Sequence, residues 1–177
     1  MPRILPLLLL PFLAGCTTIY QSATEERSVG EQASDAKLKA TVQKRLLDAG
    51  FKTLTGVDVF CHLGLVVLTG VVEPGSKVGD DAVRIARGVE GVQRVETFFV
   101  TKRPSRASDL GISAKLNGKI IADMSLKTSQ VDWAVLAGNV VLVGVVDARD
   151  KIDAIVRHAR SLDGVTNVRS FMQVKAQ

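Results

Sequence analysis

The sequence predicts an α+β protein made of two tandem small α/β sandwiches. Each runs helix-strand-strand-helix-strand over a three-stranded mixed sheet. Three observations carry this expectation. First, GNVVLVGVVD (138–147) nearly copies GLVVLTGVVE (64–73), with seven of ten positions identical. Second, the copying extends well beyond that stretch. A shift of 74 residues carries Asp35 to Asp109, Leu38 to Ile112, Val42 to Leu116, Leu46 to Ile120, Leu47 to Ile121 and Val57 to Val131. After one residue is lost beyond Glu73, a shift of 73 carries Gly91-Val92 to Gly164-Val165, Val95 to Val168 and Phe98 to Phe171. Third, the apolar spacing changes from helical to alternating in the same order in both copies.

The chain opens with MPRILPLLLLPFLAGC, one cation (Arg3) followed by an apolar run from Ile4 to Leu13. That run is about ten residues, whereas crossing a bilayer takes about 20, so it has the size of a secretory leader. Leu13-Ala14-Gly15-Cys16 resembles a bacterial lipobox. Small residues let the backbone enter a peptidase groove, and the Cys16 thiol is the atom that receives lipid. The resemblance implies a signal peptide over 1–15 and a covalent diacylglycerol and acyl chain on Cys16, with no other cofactor. The alternative is an ordinary secretory leader with an incidental cysteine. Thr17, standing where an Asp would retain a lipoprotein at the inner membrane in enteric-type sorting, points to the outer membrane. Residues 16–34 are polar and read as a lipidated tether, with a flexible reach of roughly 25 Å.

In the first unit (35–101), Asp35 reads as a helix N-cap. Leu38, Val42, Leu46 and Ala49 follow at helical spacing, and Gly50 stops the helix. Val57, Val59 and Cys61 alternate as one face of a strand. Leu63-Gly64 is a tight turn into the strand LVVLTGVV, and Glu73-Pro74-Gly75-Ser76 is a loop. A second helix spans about Lys77 to Val89 and is ended by Gly91. Val95 to Thr101 is the third strand. The second unit (108–177) repeats this order beyond a linker over 102–107. Two helices per unit cover one face of the sheet.

Val57, Val59, Gly64, Val66, Leu68, Gly70, Val72, Gly91, Val92 and Val95 form a pattern of Val-x-Val, a turn Gly, Val-x-Leu-x-Gly-x-Val, a helix, then Gly-Val-x-x-Val. Val131, Gly138, Val140, Leu142, Gly144, Val146, Gly164, Val165 and Val168 repeat it, with Trp133 in place of the second Val. This pattern resembles the BON domain. With the lipobox and tether, the chain is similar to dual-BON-domain outer-membrane lipoproteins. The resemblance implies a lipid-anchored protein facing the periplasm of a Gram-negative bacterium, supporting envelope integrity and contacting phospholipid, without catalytic activity. In membrane-binding relatives an exposed aromatic stands near the start of the helix that opens the second unit. Here Gly111 occupies about that place, beside Leu110.

Little in the sequence points to an enzyme. The two histidines fall at unrelated positions of the repeat, His62 on Leu136 and His158 on Ile85, which argues against a shared metal site. Cys61 takes a Val position and reads as a small core residue. Cys16 and Cys61 have neither zinc-site nor CxxC spacing. Trp133 reads as core. Gly70 and Gly144, inside strands, read as bulges or close backbone approaches.

Composition is globular, 46% hydrophobic and 23% charged, with 23 basic and 18 acidic residues and a formal charge of +5. That mild excess lacks the clustered basic stripe of a nucleic-acid binder. It is densest in the linker, at Lys102, Arg103 and Arg106. A solvated linker is the favoured explanation of these charges, and the alternative is a basic contact with anionic lipid. At about 100° per residue, Ile112, Leu116 and Ile120 form the inward stripe of the second unit's first helix. Opposite lie Leu110, Ala114, Asn117, Gly118 and Ile121, all uncharged. An uncharged outer face needs a partner. The candidate contact is therefore Leu110, Ala114, Lys115, Lys119 and Ile121, together with the linker cations. The occupant is either an anionic phospholipid surface or an envelope protein, the first unit included.

Overall fold

A computed structural model describes residues 27–51, 57–101, 106–126 and 131–175. Helix α1 (Val29–Asp48), strands β1 (Val57–His62) and β2 (Leu65–Val71), helix α2 (Val78–Arg87) and strand β3 (Arg94–Val100) form the first unit. Helix α3 (Arg106–Ala122), strands β4 (Val131–Leu136) and β5 (Asn139–Val146), helix α4 (Arg149–Arg160) and strand β6 (Asn167–Val174) form the second. In each sheet the middle strand pairs antiparallel with the strand before it and parallel with the strand after it. The predicted α+β class and mixed three-stranded sheets are therefore what the chain folds into.

Three local expectations are corrected. Asp35 is not an N-cap. The cap is Ser28, whose Oγ accepts from Glu31 N at 3.2 Å while the Glu31 carboxylate accepts from Ser28 N at 2.6 Å. This reciprocal pair satisfies two backbone donors and starts α1 at Val29, inside the segment read as tether. Asp35 instead sits on the inner side of α1, 5% exposed. It accepts from Leu63 N at 2.9 Å and Gly64 N at 3.4 Å. Asp109 does the same for Ala137 N and Gly138 N, at 2.9 and 3.0 Å. The reason lies in the hairpin. Leu63 and Gly64 have φ of 50° and 74°, and Ala137 and Gly138 have 51° and 78°, so each turn holds two residues in the left-handed region. The buried carboxylate collects the two amides that such a turn aims at the helix.

The second correction concerns Gly70 and Gly144, which form no bulge. Gly70 pairs with Val57 and Phe99, and Gly144 with Val131 and Met172, in unbroken register. The third refines the reading of Trp133, which packs against the second core as read but is only half-buried. Its indole N–H donates to Ser113 Oγ on α3 at 2.9 Å, while its ring packs on the edge of the second core.

Each sheet has two covered faces. On one, the helices bury Val42, Val66, Leu68, Ala82 and Ala86 in the first unit, and Leu116, Ile120, Val140, Leu142 and Ile155 in the second. On the other, the sheets meet each other. Leu65, Val67, Val141, Val143 and Phe171 form a third buried cluster, with Phe60, Phe98 and Ala134 against it. Burial on both faces explains why LVVL and VVLV read as continuous apolar runs rather than alternating ones. At about 1.5–3 kcal/mol per fully buried aliphatic side chain, this junction is a substantial part of the fold.

Candidate functional site

The inward stripe of α3 is Ile112, Leu116 and Ile120, at 3%, 0% and 0% exposure. Rotating away from it at about 100° per residue gives Leu110, Ile121, Ala114, Gly118, Gly111 and Ala122 in sequence around the helix. All six are exposed, Leu110 at 67% and Ile121 at 65%. The sheet junction leaves this surface open, so it does not join the two units. Lys115 is exposed at the border of the arc, and Lys119 is half-buried beyond it. The face thus combines uncharged small residues, two branched apolar side chains and a cationic margin.

Beyond the C-terminal end of α3 the chain makes a short anchored loop. Asp123 Oδ1 accepts from Ser125 N at 3.1 Å and Ser125 Oγ at 2.6 Å. Its other oxygen meets His158 Nε2 of α4 at 2.8 Å. The Ser125 hydroxyl, then His158, hold the Asp123 carboxyl down at about 2. Leu126 is buried. Between these fixed points Met124 is 100% exposed. The sequence reading passed over Met124. Its signal would have been an apolar residue placed between a helix end and a buried leucine.

A second polar cluster sits where the units meet. A cavity of about 250 Å³ is lined by Arg27, Asp35, Lys39, Cys61, His62 and Asp132, among others. His62, 2% exposed on β1, contacts Asp132 Oδ2 on β4 at 2.7 Å through Nε2. Gln173 of β6 donates to His62 O at 3.1 Å, and Lys175 Nζ reaches Glu31 at 2.7 Å. Burial would raise the Asp132 carboxyl. The hydrogen bond and charge of His62, aided by Lys39 and Arg27, outweigh burial and leave it below the usual range. Burial first, then the Asp35 carboxylate, push the Cys61 thiol up to about 12, so it is no nucleophile. A wider groove of about 680 Å³ on the first unit is lined by charges of both signs, including Glu31, Lys37, Arg45 and Glu90.

Of the residues singled out from the sequence, α3 brings Leu110, Ala114, Ile121 and Lys115 onto one exposed surface and sets Lys119 beside it. Arg106 is the first residue of α3. Lys102, Arg103, Cys16 and residues 1–15, read as a signal peptide, lie outside the described residues. His62 and His158 each face a carboxylate, in different units and in different settings. Among the described residues, no group of three or more His, Cys, Asp or Glu could hold a metal ion, and no helix is long and apolar enough to cross a membrane.

Comparison with known proteins follows the repeat. The family described as "BON domain" matches residues 34–103 and again 108–176. The chain is 30% identical over 170 residues to the outer membrane lipoprotein DolP of Haemophilus influenzae, covering 89% of this chain and 87% of that protein. It is 28% identical over 153 residues to osmotically-inducible protein Y of Escherichia coli, covering 83% and 76%. Among solved structures, the C-terminal domain of CdsD, a structural protein of the type III secretion system of Chlamydia trachomatis, aligns over 78% of this chain and 67% of its own. That alignment has 15% identity and a TM-score of 0.33.

Proposed function

This chain belongs to the BON domain family, and on that premise we propose that it is a non-catalytic lipoprotein of the outer membrane. It is anchored through acyl chains on Cys16 and faces the periplasm. It supports the envelope by laying the outer face of α3 against anionic phospholipid. The single observation that carries the lipid contact is the exposure of Leu110 and Ile121 on an uncharged arc with Lys115 at its margin. Lipid anchoring draws support from the lipobox-like Leu13-Ala14-Gly15-Cys16 and from similarity to a protein named an outer membrane lipoprotein.

Magnitudes favour a contact that is weak alone and effective when tethered. Full burial of Leu110 and Ile121 in the acyl boundary is worth about 1.5–3 kcal/mol each. Each lysine near an anionic surface adds about 1 kcal/mol. Ordering costs offset part of this sum. Attachment at Cys16 would keep α3 at high effective concentration beside the bilayer.

The test uses the polypeptide from Thr17 onward, which keeps every described residue. Its co-sedimentation is measured with phosphatidylglycerol-containing and with zwitterionic vesicles. Binding to the anionic vesicles, weakened by salt and cut about tenfold or more by Leu110→Asp, is the expected result. Equal binding by wild type and Leu110→Asp sinks this site.

A second reading has its own observation. Ala114, Gly118 and Ala122 recur every four residues on the same exposed arc, flanked by Leu110 and Ile121, a spacing that lets another helix approach closely. On that reading the occupant is a helix of an envelope protein, and the same variant abolishes protein capture rather than vesicle binding.

A further inference from the structure

We propose that the lipid-facing surface of the second unit continues past α3 to Met124, and that protonation of His158 strengthens its attachment to anionic phospholipid by neutralising Asp123. The inference rests on the lipid reading above and specifies how that site is regulated.

The geometry places a carboxylate beside the most exposed apolar side chain described. Met124 is 100% exposed, one residue after Asp123 and three after Ile121. Any approach that buries Ile121 and Met124 in an anionic surface brings Asp123 to that surface too. Asp123 is only partly shielded, its side chain 26% exposed. Its hydrogen bonds to Ser125 and His158 keep it ionised through the whole neutral and mildly acid range. An isolated anion here would oppose docking. Among the described residues, His158 is the group within hydrogen-bond reach that can cancel it, at 2.8 Å and itself 28% exposed in its side chain.

Among the described residues, the charged neighbours of His158 are few. From the α3 end come Asp123 and, one turn back, Lys119, whose carbonyl accepts from Asp123 N. Its own helix contributes Arg157 and Arg160 in the last turn. The faces of β5 and β6 beneath α4 are apolar, with Val140, Leu142, Val168 and Met172. The sign follows directly. With His158 neutral, the His158–Asp123 pair carries one negative charge; with His158 protonated, the pair is neutral. One unit of charge beside an anionic leaflet changes partitioning about fivefold. The sequence contains two histidines, and the other, His62, lies buried at the junction of the units against Asp132. Histidine is the side-chain type whose ordinary charge change lies between about pH 5 and 8.

The experiment measures partitioning of the Thr17-onward polypeptide onto phosphatidylglycerol-containing vesicles at about pH 5.5 and 7.5. Emission of Trp133, whose indole is held by Ser113 of α3, checks that each variant keeps the α3–sheet contact. Wild type should bind about fivefold more strongly at the lower pH on anionic vesicles, with no such gain on zwitterionic ones. His158→Gln should lose the gain and remain at the weak level. Asp123→Asn should bind more strongly than wild type at the higher pH. Met124→Asp should weaken binding at both. If wild type binds but shows no gain, or if His158→Gln keeps it, the His158 mechanism is overturned while the α3 site stands. If Met124→Asp binds as wild type does, the extension to Met124 is overturned. If nothing binds at either pH, both this inference and the lipid reading fall.

Discussion

Helices α1 and α3 are equivalent in the repeat, but they show solvent different chemistry. On α1 the outward face carries Ala36, Ala40, Gln43 and Leu47, and is crossed by Lys44, which pairs with Asp48 at 2.6 Å. On α3 the corresponding arc has no charge, and Met124 stands exposed in the loop beyond the helix. The inner faces, by contrast, keep the same plan. Leu38, Val42 and Leu46 match Ile112, Leu116 and Ile120, and Asp35 matches Asp109 over the same two turn amides. The duplicated unit has therefore conserved its helix–sheet core and hairpin clamp, and has diverged on its exposed helix and at the junction of the sheets. A surface free of core constraints is where a duplicated unit can take up a new task.

The deepest test of this comparison is the clamp. Each buried turn amide left without a partner costs about 1–3 kcal/mol, so Asp109→Ala should destabilise the protein by roughly 2–4 kcal/mol. Asp35→Ala should cost more. Asp35 also accepts from Arg27 at 2.8 Å, and Cys61 Sγ lies 3.8 Å from its Oδ1, whereas Val135 stands at the matching place in the second unit. Chemical denaturation of the two variants ranks them. Equal losses would mean that the extra partners of Asp35 contribute nothing.

The junction is the next test. The repeat sets His62 against Leu136, Leu65 against Asn139, Phe60 against Ala134 and Thr69 against Val143, so the two back faces are complementary rather than copied. His62→Ala removes a buried ring that spans the junction, and should cost about 2–4 kcal/mol from lost packing and the lost bond to Asp132. His62→Leu, which installs the residue of the other unit, should recover the packing part. Thermal melts with and without Asp132→Asn, arranged as a double-mutant cycle, separate the polar share. A coupling near zero would reduce His62 to a space-filling residue.

Much of this architecture was legible because it rests on local rules. The repeat, the helical and alternating periods and the glycine-bearing turns fixed the order of elements and the mixed sheets. The uncharged arc of α3 was legible for the same reason, since one helix carries all of it. Asp35 was misread because an Asp ahead of an apolar helix is a good N-cap by local rules. The competing signal was the Ser28…Glu31 capping box upstream, together with a partner turn some 28 residues on in each unit. The His62–Asp132 contact joins residues 70 apart across two units, and no periodicity encodes it. Likewise, the continuous apolar runs of β2 and β5 announced burial on both faces, but not that each sheet would be covered by the other.

Thr69 offers the finest probe of how far the units have adapted to each other. Its side chain is fully buried at 0% exposure, and among the described residues Oγ1 has no hydrogen-bond partner. The equivalent residue, Val143, belongs to the buried cluster between the sheets. Valine has nearly the same shape, without a hydroxyl to desolvate. If the junction is a simple apolar seam, Thr69→Val should stabilise the protein by about 1 kcal/mol, because an unsatisfied buried hydroxyl is removed and packing is kept. For a chain of this size that is a rise in Tm of roughly 2–4 °C. A loss of stability instead would mean that the hydroxyl holds an ordered water between the sheets. The seam between the units would then be partly polar, and the two back faces more specialised for each other than their apolar side chains alone imply.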